Sequence, residues 1–199
     1  MTTQSSLVST TSISALSSKK QLALGLLLFE RMLPSLIIFS RDTGFDDLCY
    51  LQARDAAWFA LLGGTIDPIL NDNCIDSAPD TEEFTHELTS HALNAVLVMV
   101  DILDFISTSN FESIVNVLVL ARDSLYLYLS GLEPSIISTA AKDDRIARHP
   151  LMQAEQHREE QDIKFLSALP DHFDDSVILN LRQRAAKQPP LFPLSYAQP

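Results

Sequence analysis

The chain has 199 residues, enough for one domain with a core of useful size. Its five glycines argue against a turn-rich all-β fold, and its formal net charge of −12 opposes non-specific nucleic-acid binding, which needs a basic surface. Fourteen acidic residues fall between Asp42 and Glu112 against Arg54 alone, an acidic block that solubility explains more simply than a basic partner does.

In chain order, residues 1–18 are Ser- and Thr-rich without a sustained period and read as a disordered lead-in. Lys19–Leu33 reads as a helix with Leu22, Gly25, Leu26, Phe29 and Leu33 on its inward stripe. Lys19-Lys20 before LALGLLLF looks like part of a signal peptide, but Glu30, Arg31 and Pro34 end the apolar run and no small-residue cleavage site follows. Pro34 is expected to open a second, short helix to Arg41, stopped at Thr43-Gly44. Asp46-Asp47 caps a helix to about Leu62, with Trp58 and Phe59 as core anchors and Gly63-Gly64 as its end. Thr65–Pro79 is a polar connection in which Pro68 is a candidate start for a helical turn.

Two long helices follow, Asp80–Ile106 and Asn110–Leu129, apolar round most of their circumference. The spacings Asp80/Glu83 and Ser109/Glu112 read as capping boxes, and Gly131 with Pro134 closes the pair. Asn94, Asp101 and Asp104 make a narrow polar stripe on the first helix, with Ser113, Asn116 and Asp123 a similar seam on the second. A helix so apolar must be surrounded by others, which puts this hairpin at the centre of the fold. Neither helix offers the ~20 uncharged residues of a stable membrane span.

Ser135–Arg148 has little periodicity and reads as a loop or frayed helix. His149-Pro150 opens a helix to Leu169, and Asp174 caps the last one, to about Lys187. Residues 188–199 are a proline-rich tail that cannot be helical and is extended or disordered. The fold class is therefore all-α: a single domain over 19–187, a bundle or orthogonal array of about seven to eight helices around a central apolar hairpin.

Three stretches carry a family resemblance: LLFERMLP at 27–34, the Thr43-Gly44-Phe45 turn and HPLM at 149–152, with Trp58 at the right interval between. Over about residues 20–186 the chain resembles the YjaG-like family of bacterial proteins, domain of unknown function 416. The resemblance implies a compact, all-helical, cytosolic protein and supplies no catalytic residues. The chain departs from the family pattern at Ser90-His91, at Phe59 after the tryptophan, and in its proline-rich ending, which mark it as a divergent member.

The chemistry-bearing patterns are weak. Glu83-Phe84-Thr85-His86 is a Glu-x-x-His step, but a di-iron bundle needs that step on two helices, so no metal is expected. Glu155, His157, Glu159 and Glu160 read as a solvated face, because His157 lies about 200° from Glu155 on a helix. Cys49 and Cys74 fit no metal or redox motif and read as reduced cysteines of a cytoplasmic protein. A nucleophile elbow and a phosphate-binding glycine loop are both missing, and no catalytic residue or cofactor is assigned.

Glu30-Arg31 stands out as a charged pair in an apolar helix. Arg41 or Asp42 is the expected partner, and a structural salt bridge between the first two helices the preferred reading. The sequence supports first a non-catalytic interaction or scaffold protein acting as a homo-oligomer, with a homodimer as the candidate assembly. The alternative is a small-ligand binder or enzyme with a pocket near Glu30, Arg31 and Trp58, and the third reading a helical protein that associates with membranes.

Overall fold

A computed structural model describes residues 10–133 and 138–194. The described residues form nine helices and no strand: α1 (Thr10–Ser14), α2 (Ser18–Thr43), α3 (Leu48–Ala60), α4 (Ile69–Asp76), α5 (Thr89–Thr108), α6 (Phe111–Leu132), α7 (Thr139–Ala147), α8 (Pro150–Ala168) and α9 (Asp175–Lys187). The fold is the expected all-α array, but its centre has moved. The axial element is α2, which packs on α3, α5, α6, α8 and α9.

Composition explains why α2 takes that place. Its inward stripe of Leu22, Leu26, Phe29 and Leu33 is buried as expected, and so are Ala23, Leu24, Leu27 and Leu28 on the other sides. At Gly25 the helix meets the α5–α6 hairpin: a Cβ there would lie 3.3 Å from Ile102 Cγ1 and 3.4 Å from Ile114 Cδ1, so the missing side chain lets the backbones close. The expected break at Pro34 does not occur. Proline removes one helical hydrogen bond, but Met32, Leu33, Leu36 and Phe39 are buried on both sides of it, and that burial outweighs the loss. Gly44 ends the helix as expected, at φ 77° with its N–H on the Ser40 carbonyl at 2.8 Å.

The hairpin is shorter at its start than its sequence suggests. Residues 80–88 are turns, because Phe84 is drawn against Phe39 and Phe45 at ring-centroid distances of 5.3 and 5.9 Å. Thr89 Oγ donates to the His86 carbonyl at 2.8 Å, fixing the turn that precedes α5. Asp80 therefore serves a turn, accepting from the Glu82 N–H at 2.8 Å, and Asn110 rather than Ser109 caps α6. The two polar seams meet one another: Ser113 Oγ donates to Asp104 Oδ2 at 2.5 Å, and Asp101 pairs with Asn116. The inner face of α6 is buried, whereas its outer stripe of Glu112, Asn116, Val119, Asp123 and Leu127 is exposed, so the hairpin is not enclosed on all sides.

Other differences have local causes. Phe59, expected in the core, is 57% exposed because Trp58, Ala57 and Tyr50 already fill the inner face of α3. Pro68 precedes α4, and 139–147 is a regular helix. Ile13 and Leu16, from the stretch read as lead-in, are buried, as are Leu191 and Phe192 from the tail. Residues 1–9, Pro134, 135–137 and 195–199 lie outside the described residues. By length and composition α2, α5 and α6 could each cross a membrane; 83% of the most apolar window of α2 is buried within the protein, against 39% for α6.

Candidate functional site

Glu30 and Arg31, neighbours in α2, point to different places, as a turn of about 100° per residue requires. Glu30 meets Trp58: the indole Nε1 donates to its carboxylate at 2.9 Å, and the Arg54 guanidinium lies 3.9 Å away. The Arg182 guanidinium sits over the Trp58 ring at 5.4 Å. These side chains, with Asp55 and Ala185, line a shallow cleft of about 210 Å³. Glu30 and Trp58 are thus brought together, and Arg31 is absent from their cleft.

Arg31 instead turns inward to α8. Its Nη1 donates to Asp162 Oδ2 at 2.7 Å and to Gln188 Oε1 at 2.6 Å, and its Nη2 donates to Glu155 Oε1 at 2.7 Å. Asp162 also accepts from Arg184 Nε at 2.7 Å and from Gln188 Nε2 at 2.9 Å. Glu155 Oε2 lies 2.6 Å from Arg158 Nη2, and Glu159 is paired with Arg122. Glu155, Glu159 and Asp162 are fully buried, so the solvated face expected for α8 is in part a buried charged one. The expected partners Arg41 and Asp42 pair with each other at the surface.

The spacing of Glu155, Glu159 and Asp162, four and then three residues, places them on one side of a helix. That signal was legible; what hid it was the surrounding run of polar residues, which masks which side is inward. Four guanidinium groups face three carboxylates here, so charge is nearly balanced inside the protein. Burial pushes the Glu159 carboxyl above its ordinary range against the opposing pull of Arg122. For Arg31 burial acts to lower the pKa, but Glu155 and Asp162 outweigh it and hold the guanidinium charged. The ion pairs of this cluster tie α2, α6, α8 and α9 together.

A third polar group lies under the tail. His91 Nδ1 is 2.9 Å from Ser124 Oγ, and the imidazole packs on Phe192, whose ring stacks in turn on Tyr128. Burial lowers the His91 pKa, with Glu87 opposing. The Glu83–His86 step has no helix to align it; His86 lies 3.8 Å from Asp42, and no group of three or more His, Cys, Asp or Glu able to hold a metal occurs among the described residues.

One concavity has no counterpart in the sequence reading. Beside α4 a groove of about 520 Å³ takes its apolar lining from Ile66, Pro68, Leu103 and Ile106 and its acidic side from Asp67 and Asp72. The Phe59 ring covers Gly64 at its border, within about 2 Å of where a Cβ would stand, so only glycine fits under that ring. Leu62 and Ile69 are exposed at 38% and 61%.

Comparison with known proteins places this arrangement. The model of a family described as protein of unknown function (DUF416) matches residues 9–189. The chain belongs to the DUF416 family. A crystal structure of a DUF416 family protein from Shewanella baltica OS155 superposes with a TM-score of 0.80 at 20% identity, over 89% of this chain and 93% of the other. At that identity the likeness speaks for the fold of this DUF416 protein alone. No curated protein matches the chain.

Proposed function

We propose that this DUF416 protein is a cytoplasmic interaction protein that works as a homodimer through the groove beside α4. The observation that carries the reading is the groove itself: the exposed Phe59 ring lies on its lining residue Gly64, and exposed Leu62 and Ile69 stand next in sequence to its lining segment 64–68 or within two residues of it. Exposed apolar side chains clustered around a concavity mark association surfaces, whereas scattered ones do not. The outer stripe of α6 serves as the contrast: Val119 and Leu127 alternate there with Glu112, Asn116 and Asp123, as on an ordinary solvated face. Sedimentation equilibrium tests the reading. The wild type should weigh as a dimer and the Phe59→Ser, Ile69→Ser double variant as a folded monomer; a wild type that stays monomeric at high concentration would remove the proposal.

The cleft of Glu30 and Trp58 favours a second reading, a small zwitterionic ligand. Arg54 and Arg182 stand there beside Glu30 and Asp55, Arg54 at 3.0 Å from Asp55 and Arg182 at 3.8 Å, and a zwitterion would exchange those pairs for its own two charges. Trp58 is the single tryptophan, and its emission reports the cleft directly. Saturable quenching by free amino acids, lost in Glu30→Gln, supports this reading; emission indifferent to every ligand tried disposes of it.

A further inference from the structure

Cys49 on α3 and Cys74 on α4 are 25 residues apart in the chain, yet their sulfurs are 3.5 Å apart. Both are free thiols, with Cys74 buried and Cys49 only partly so. Cys49 also lines a cavity of about 330 Å³ between the turn at Gly44 and the segment after α4. One sulfur is therefore reachable from a cavity while the second waits in contact behind it. We propose that Cys49 and Cys74 form a modification site, oxidised by a hydroperoxide to an intramolecular disulfide that ties α3 to α4.

The cavity selects the oxidant. Asp46, Asp76, Asp80 and Glu83 line it and none of its described lining residues is basic, so an uncharged peroxide enters where an anionic disulfide is repelled. The Cys49 sulfur attacks the distal peroxide oxygen, the O–O bond breaks, and the departing alkoxide or hydroxide takes the thiol proton. Cys49 is left as the sulfenic acid. The Cys74 sulfur then attacks the Cys49 sulfur, and the sulfenic hydroxyl leaves with the Cys74 proton as water. In sum two thiols and one hydroperoxide give one disulfide, one alcohol or water from the peroxide, and one water.

Burial pushes the Cys74 thiol up to about 12, which makes Cys49 the first sulfur to react and Cys74 the resolving one. The sulfurs must approach by roughly 1.5 Å to reach bonding distance. The fold permits it: Cys74 is the buried residue of α4, and Tyr50 Oη holds that helix by one hydrogen bond to the Cys74 carbonyl at 2.9 Å. α4 packs on α3 and α5, and a disulfide at its buried Cys74 adds a covalent tie across the α3–α4 contact.

Reduced full-length protein treated with a modest excess of hydrogen peroxide at high dilution provides the test. The expected product is a monomer lighter by two hydrogens, with residues 49 and 74 in one cross-linked peptide pair that dithiothreitol releases. Cys74→Ser should stop at a sulfenic acid on Cys49 that dimedone traps, and Cys49→Ser should leave Cys74 a free thiol. The wild-type measurement decides alone if either variant fails to fold. Cys49 carried on to the sulfinic acid while Cys74 still labels as a thiol, or disulfides formed only between molecules, would overturn the proposal.

Discussion

The Arg31 guanidinium meets Glu155 and Asp162 at 2.7 Å each, with the side chains of all three fully buried. An ionised group taken out of water survives only while its partners remain, and removing one of them strands the others. Arg31→Met should therefore cost about 3–5 kcal/mol of unfolding free energy, read from urea titration, because it leaves Glu155 and Asp162 facing one fewer cation. Glu30→Gln, at a partly exposed position, should cost under about 1 kcal/mol. Equal losses at the two neighbours would show that the inward cluster does not hold the fold. The sequence marked the pair as unusual but could not name Arg31's partners. They lie 124 and 131 residues downstream, on a helix whose polar residues resemble an ordinary solvated face.

Among the elements, the tail shows how packing overrides composition. Its prolines exclude helix, yet Leu191 donates its N–H to the Arg31 carbonyl at 2.9 Å and Phe192 covers His91. His91, buried there, has a folded pKa below its unfolded one, while Glu87 only partly offsets the burial. The stability it contributes is present above the unfolded histidine value and is lost as pH falls through the folded one, since the unfolded chain then binds the extra proton. Between about pH 7.5 and 5.5, either side of the unperturbed histidine value, the urea midpoint should fall more in the wild type than in His91→Gln. Parallel curves would mean that the imidazole is not shielded by the tail. Helix ends with local chemistry, such as Gly44, Pro150 and the Asp174 cap, were legible in the sequence, whereas the start of α5 was not. A distant aromatic cluster around Phe39 and Phe84 decides that boundary, and no capping rule reports it.

At the scale of the whole molecule, hydropathy put the hairpin of α5 and α6 at the centre, whereas the axis is α2, which the sequence reading divided at Pro34 into two shorter helices. α5 and α6 each keep an exposed face, whereas α2 combines apolar residues on every side with a glycine that admits the hairpin. Periodicity measures how apolar a helix is; only assembly determines what covers it. The charged groups nearest the axis are spent on one another, and the groove beside α4 is among the concavities that stay open. The proposed symmetric contact between two copies lies there, and in such a contact a residue close to the twofold axis meets its own counterpart. Ile69 is exposed beside the groove, and Leu179 on α9 is a comparably exposed control at 58%. In a Cys49→Ser background, which removes the accessible native thiol, a short bis-maleimide should join Ile69→Cys protomers into covalent dimers and leave Leu179→Cys monomeric. Equal cross-linking at both positions, or none at residue 69, would rule out a dimer built on this groove.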